Sequence, residues 1–456
     1  MRDVSSVSPL RVAVIGSGPA GLYTAEALIK QSEGPVAVDV FDRLPTPYGL
    51  VRYGVAPDHP SIKSIANYLQ RVLESPSVRF LGCIEFGRDV TRADLLQCYH
   101  AVVYATGAMT DRRMGIPGED LPGSVAATDF VNWYCGHPDV AADRFEIDAE
   151  AVAVIGVGNV AVDVVRILAR AAPELRPTDA PENVIDILGR SQVRDIHMVG
   201  RRGPAQAKFT PKELRELGAL DNADVLVRPD EVELDEASAA LTEKNRQVRT
   251  NVEVLSGWAS RTRTDKPRCI NVRFWLRPAE ILGTDRVEAL RLERTRLDEN
   301  GRVVGTGEYE DLPVQMVLRS VGYQSIPLPE VPFDESGLTV PHEAGRVLDG
   351  GGIALDGEYV AGWLKRGPTG VIGTNKSDAA ETVRSLLADE PALRESRGDS
   401  PPSVESLLEE RGTSLVTYDD WLAIAAEEEE LGRSLGRERV KIVGWDRLLT
   451  ACRRPS

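Results

Sequence analysis

Residues 11–31 read RVAVIGSGPAGLYTAEALIKQ. Four apolar residues, Val12 to Ile15, predict a short buried strand, and Leu22, Ala25 and Leu28 predict one apolar face of a following helix. Between them stands Gly16-x-Gly18-x-x-Gly21. Gly16 permits a tight turn, Gly18 lets backbone approach a pyrophosphate, and Gly21 lets helix and strand pack closely. The helix start adds free N–H groups and partial positive charge, which suit phosphates. A second strand, AVDVF, leads into Asp42 at about the distance where an acid accepts hydrogen bonds from a ribose diol. Strand, turn, helix and acid together predict a dinucleotide site on a Rossmann-like unit.

The pattern returns at residues 151–170, AVAVIGVGNVAVDVVRILAR, as Gly156-x-Gly158-x-x-Ala161. The next apolar strand, DIHMVGRR, ends in Arg201 and Arg202 instead of an acid. A carboxylate repels a 2′-phosphate, whereas guanidinium groups bind it bidentately. This site is therefore read as one for NADP(H). Gly158 and Arg201 are 43 positions apart, about twice the usual ~20. The excess is placed in APELRPTDAPENV, read as an insertion between helix and strand. Unlike strand ends imply unlike ligands, and FAD first with NADPH second fits them.

The chain has 456 residues, enough for two or three domains, with 42% hydrophobic and 27% charged residues. A net charge of -16 argues against general binding of nucleic acid or anionic membranes. The five cysteines form no Cys-x-x-Cys pair, which disfavours a redox dithiol, a zinc ribbon or a chain-ligated iron–sulfur cluster. No metal site is expected, and the Glu427–Glu430 run is read as a solvated face. The N-terminus lacks a secretory pattern and no apolar run suits a bilayer, so a soluble, cytoplasmic protein without membrane insertion is expected.

Further motifs carry a resemblance. VAVIGSGPAGLY, LPTPYGLVRYGVAPDHPSIKSI (44–65), IPGEDLPGS, VIGVGNVAVDVVRIL, VGRRGPAQAKFTPKELREL, RSVGY and VAGWLKRGPTGVIGTNKSDA resemble those of adrenodoxin-reductase-type ferredoxin–NADP(+) reductases, including the bacterial NADPH–ferredoxin reductases. The resemblance spans nearly the whole chain. It implies an α/β fold with two Rossmann-like dinucleotide-binding domains, the NADP domain (108–330) inserted into a discontinuous FAD domain (1–107 and 331–390). Residues 391–456 would form a linker and a helical tail packed on the FAD domain. Carried over by position, FAD contacts fall on Ala20, Asp42, Leu50, Phe86, Trp363 and Gly370, Val371 and Ile372. NADP contacts fall on Arg112, Val157, Gly158, Asn159, Val160, Arg201, Arg202, Glu213 and Gly370. The family's histidine and glutamate that tune electron transfer match His59 and Glu216.

The implied activity is NADPH:ferredoxin oxidoreduction: a hydride passes from NADPH to FAD, then single electrons pass to a ferredoxin or similar small iron–sulfur protein. Four prolines and two glycines make 44–65 a stiff loop able to hold His59 against a flavin, with capping of the next helix as the plain alternative. A local basic patch for an acidic partner is sought in Asp195–Ala219 (five basic against three acidic residues) and in Lys365-Arg366. An FAD/NADPH-dependent monooxygenase is the alternative enzyme. An electron-input subunit would need N-terminal cysteine clusters, and a nucleotide-sensing module would not turn over.

Overall fold

The apolar run Val12–Val14 is fully buried in the strand Leu10–Ile15, which lies between Val36–Phe41 and Ala101–Tyr104, parallel to both. These belong to a seven-stranded sheet whose spatial order is His342–Glu343, Arg346–Leu348, Ala354–Val360, Ala101–Tyr104, Leu10–Ile15, Val36–Phe41, Val78–Leu81. Only Arg346–Leu348, second from the first edge, runs opposite to the rest, pairing antiparallel with both of its neighbours. The structure, a computed structural model, describes residues 8–452; the first residues, on which the reading of the N-terminus partly rested, lie outside them. Helix Pro19–Gln31 buries Leu22, Ala25 and Leu28 in one core with Ala379, Val383 and Leu386 of helix Thr374–Arg397. Each buried leucine contributes about 1.5–3 kcal/mol. That packing joins the two ends of the chain into one unit.

The second sheet has six parallel strands in the order Ser124–Ala126, Met316–Arg319, Ala151–Ile155, Asp195–Val199, Arg268–Arg273, Ala223–Val227. The fold is thus α/β with two Rossmann-like units, the second inserted into the first. The long connection after helix Asn159–Ala169 is not irregular: it folds into helices Ala172–Leu175 and Glu182–Arg190, the latter burying Val184, Ile185 and Leu188. A three-stranded antiparallel sheet, Leu276–Leu282, Ala289–Leu297 and Val303–Pro313, is appended to this unit. The chain crosses between the units at Thr110–Asp111 and returns at Tyr323–Gln324, two segments paired antiparallel.

The tail departs from expectation twice. Helix Tyr418–Ser434 stacks Trp421 edge-on against Tyr48 at 5.9 Å, beside the first unit. Beyond it, the Arg437 guanidinium donates to the Ala180 carbonyl and Lys441 to the Cys135 carbonyl, so the tail also grips the second unit. The acidic run is not wholly a solvated face. Glu428 is fully buried and accepts two hydrogen bonds from Arg52, at 3.0 and 2.5 Å. A buried carboxylate needs such a partner. Among the described residues, no helix is long and apolar enough to cross a membrane.

Candidate functional site

The first glycine turn sits at the end of Leu10–Ile15. Gly16 has φ +111°, and a Cβ there would stand 2.6 Å from the Ala105 carbonyl oxygen. A Cβ on Gly21 would meet the Gly16 carbonyl oxygen at 1.9 Å. Both positions therefore exclude any side chain. The stiff loop docks on this turn: the Tyr48 N–H donates to the Ser17 carbonyl at 3.0 Å, and Gly49 faces Gly18. From the far end of the chain, Gly362 (φ +77°) approaches so near Ala20 that its own Cβ would lie 2.4 Å from that methyl. Turn, loop and C-terminal motif thus form one backbone-walled cradle.

Asp42 stands at its rim. The Ser17 N–H and hydroxyl donate to one carboxylate oxygen at 3.0 and 2.5 Å, and the Leu44 N–H donates to the other at 3.0 Å. Burial pushes this carboxyl up, and the Ser17 and Leu44 donors oppose the shift. Leu50 begins the short helix Leu50–Tyr53, and the Phe86 ring meets Tyr104 edge-on at 5.6 Å. Trp363 packs on Tyr323 at 5.5 Å and donates its indole N–H to the Thr369 carbonyl. Gly370 has φ +85°, Val371 is 65% exposed, and Ile372 packs against the first core.

The second turn repeats the logic. Gly156 has φ +140°, with no room for a Cβ beside the Ser320 carbonyl, whereas Gly158 faces open space. The Asn159 side-chain oxygen accepts from the Thr210 N–H at 2.9 Å, and the Val157 carbonyl accepts from the Lys208 N–H. Val160 packs against the core. At the next strand end Arg201 is exposed and Arg202 half-buried. Among the described residues, no carboxylate stands within ion-pair distance of either, and Arg202 Nε is buried without a partner. Arg112 is exposed and donates its backbone N–H to Gly322, beside the two crossing segments.

His59 joins the two units. It begins helix Pro60–Lys63, but its side chain makes no cap bond, which removes the plain capping role. The ring is instead buried, with Nε2 at 3.2 Å from Asp163, 3.1 Å from Glu213 and 3.6 Å from Glu216. Burial opposes its charge, but the Asp163 and Glu213 carboxylates prevail and push its pKa up to about 9. The two glutamates diverge. The His59 bond holds Glu213 down, whereas burial leaves Glu216 raised, with the Glu213 charge adding to the shift and the His59 and Arg166 charges opposing it.

Sequence reasoning missed the groups behind this cluster. Arg166, fully buried, donates to Asp58 at 2.6 and 3.0 Å and to Asp163 at 2.8 Å. It also lies 3.7 Å from Glu213 and 3.6 Å from Glu216. The available signal was an acid and an arginine three residues apart inside an otherwise apolar helix. His59, Glu213 and Glu216 place three ligand atoms within 4.8 Å of one another, a set a metal could use. The Arg166 cation and the proton on His59 already balance those carboxylates, so the set reads as an ion-pair cluster.

The basic segment divides. Lys208, Lys212 and Arg215 are exposed with Arg201, as a docking patch needs. Lys365 and Arg366 do not belong to it. Lys365 is buried against Asp378, Glu381 and Thr382, and Arg366 bonds Asp378 and Asn375.

Residues 10–216 match the family model of pyridine nucleotide-disulphide oxidoreductases. The chain is 43% identical to NADPH-ferredoxin reductase FprA of Mycobacterium tuberculosis, over 97% of this chain and 98% of the relative. It is 39% identical to the mitochondrial NADPH:adrenodoxin oxidoreductase of Arabidopsis thaliana, over 98% and 96%. The solved structure of M. tuberculosis FprA in complex with NADPH superposes with a TM-score of 0.90 at 41% identity, covering 97% of this chain and 99% of that one.

Proposed function

The chain belongs to the family of NADPH–ferredoxin reductases and NADPH:adrenodoxin oxidoreductases, and from that premise we propose that it is an FAD-containing NADPH:ferredoxin oxidoreductase acting in the cytoplasm. The observation that carries the reading is the pair of unlike cradles, one rimmed by Asp42 and the other by Arg201 and Arg202 without carboxylate partners. The first cradle fits FAD, because it is walled by glycine backbone where side chains are excluded and carries an acid at the ribose position. Bound FAD supplies the exchange between two-electron nicotinamide chemistry and the one-electron chemistry of an iron–sulfur partner. The FAD unit comprises residues 1–107 and 331–390, and the NADP unit 108–330.

Each residue then has a task. Gly16, Gly18 and Gly21 admit the FAD pyrophosphate, with Ala20 beside them. Asp42, held by Ser17, binds the ribose. Leu50, Phe86, Trp363 and Gly370 to Ile372 line the rest of that site. Gly158, Asn159 and Val160, after Val157, offer the second helix start to the NADPH pyrophosphate, while Arg201 and Arg202 grip the 2′-phosphate. Arg112 and Glu213 complete the nucleotide's binding. His59 holds a proton at Nε2 between Asp163 and Glu213, and half-exposed Glu216 is the neighbour able to take up or release one.

A purified sample is expected to be yellow, and NADPH under anaerobic conditions bleaches the visible absorbance. A colourless protein that takes up no flavin overturns the reading, and oxygen uptake coupled to an organic substrate shifts it to a monooxygenase. Lys208, Lys212 and Arg215 form the docking patch for an acidic iron–sulfur protein, despite the net charge of -16. Charges beyond about 8 Å are screened at physiological salt, so local sign decides. Raising ionic strength from about 50 to 500 mM should therefore lower ferredoxin reduction about tenfold and leave reduction of a neutral artificial acceptor nearly unchanged. Equal sensitivity of the two acceptors removes the patch.

A further inference from the structure

The turn that carries the two arginines is held from outside its own parallel sheet. Three consecutive carbonyls, those of Gly200, Arg201 and Arg202, each accept a hydrogen bond from the appended antiparallel sheet or its entry. The Leu276 N–H donates to Gly200 at 3.1 Å, the Thr295 hydroxyl to Arg201 at 3.0 Å, and the Trp275 N–H to Arg202 at 3.3 Å. The Thr295 N–H in turn donates to the Trp275 carbonyl at 2.8 Å, so the two residues form one clamp. Strand pairing is irregular between Glu293 and Thr295, where the Thr295 hydroxyl reaches the turn.

Two steric features reinforce this. Trp275 has φ +61°, a left-handed conformation that costs free energy for any non-glycine residue and persists only where its surroundings over-determine it. Its indole lies against Gly203, where a Cβ would meet Cζ2 at 2.2 Å. The backbone of the turn is thus fixed, while the arginine side chains are left without carboxylate partners and Arg202 Nε is buried with none. A solvated surface pair has no need of three anchored carbonyls. A fork that must meet an anion in one geometry gains from them, because less freedom is lost on binding.

We propose that the antiparallel sheet is the specificity element of the NADP site: Thr295 and Trp275 are positioning residues that preset Arg201 and Arg202 for the 2′-phosphate. The proposal rests on the reading of those arginines as the 2′-phosphate fork. It predicts that loosening the clamp weakens recognition of the extra phosphate and spares the rest of the nucleotide, which a merely structural hydrogen bond would not do.

The test is calorimetric titration of the holoenzyme with adenosine 2′,5′-bisphosphate and with adenosine 5′-monophosphate. Thr295→Val, which removes the hydroxyl at nearly constant volume, is expected to weaken the bisphosphate about tenfold. The monophosphate should stay within about twofold, and Thr295→Ser should restore the bisphosphate to within about twofold of the parent. Equal weakening of both ligands, or none, overturns the proposal. Thr295→Ala serves where the valine methyl prevents recovery of folded, yellow protein. Arg202→Ala, run in parallel, separates the two layers. If it weakens both ligands equally, the 2′-phosphate reading falls and takes the clamp with it. If it is selective and Thr295→Val is not, the clamp alone falls.

Discussion

Replacing Arg201 and Arg202 together by alanine raises the KM for NADPH about 100-fold, while the KM for NADH changes less than about threefold. Hydrogen bonds to charged groups contribute about 1.5–3 kcal/mol each, and tenfold in affinity corresponds to 1.4 kcal/mol. Two guanidinium groups on one phosphate therefore account for two decades even at the lower end. The structure favours that size of effect, because neither arginine has a carboxylate partner to leave behind among the described residues. Removing them exposes no orphaned acid, so the fold should survive. NADH lacks the phosphate and loses only a diffuse attraction. Steady-state rates with each coenzyme and a neutral acceptor measure both constants. Equal losses for the two coenzymes mean that the pair faces solvent or grips the shared part of the nucleotide.

The placement of Arg201 and Arg202 at a strand end was legible in the chain because the pattern is local: a strand followed at once by two adjacent cations. The glycine turns were legible for the same reason, since Gly16 and Gly21 are demanded by contacts within one strand–turn–helix unit or with the adjoining strand end. Helix Glu182–Arg190 was not, because prolines and polar residues hide a buried face of only Val184, Ile185 and Leu188. Lys365 shows the opposite error. A lysine beside an arginine looks exposed in sequence, yet Asp378 and Glu381 lie on the next helix and bury its charge. Glu428 was misread likewise, since its partner Arg52 is 376 positions away. Long-range ion pairs leave no periodic trace. For the same reason His59 could be singled out while Arg166, which organises its surroundings, could not.

Arg166→Met is accordingly the substitution with the largest expected cost in stability, about 3–5 kcal/mol. Arg166 is fully buried, and its fork is the link from Asp58 in the stiff loop to Asp163 on the helix of the second turn. Methionine fills much of the volume but supplies no charge. Asp58, which burial would raise and Arg166 holds at about 2, is then left buried with Arg170 as its cation at 2.8 Å. Buried carboxylates left with less positive charge beside them are the expensive part of that change. An exposed pair makes the contrast: Arg286 and Asp148 are each about half exposed, and Arg286→Ala should leave the urea midpoint unchanged. A second readout separates electrostatics from packing. The folded pKa of His59 is raised, so its pairing stabilises the protein below the ordinary histidine range and is lost as pH rises through about 9. Arg166 is the cation that works against that proton, so Arg166→Met should move the His59 titration upward. With five histidines in the chain, ring-proton resonances compared with those of His59→Gln identify the signal. A methionine variant with unchanged urea midpoint, or a His59 midpoint that moves down, would show that Asp58, Asp163 and the two glutamates are balanced by something other than Arg166.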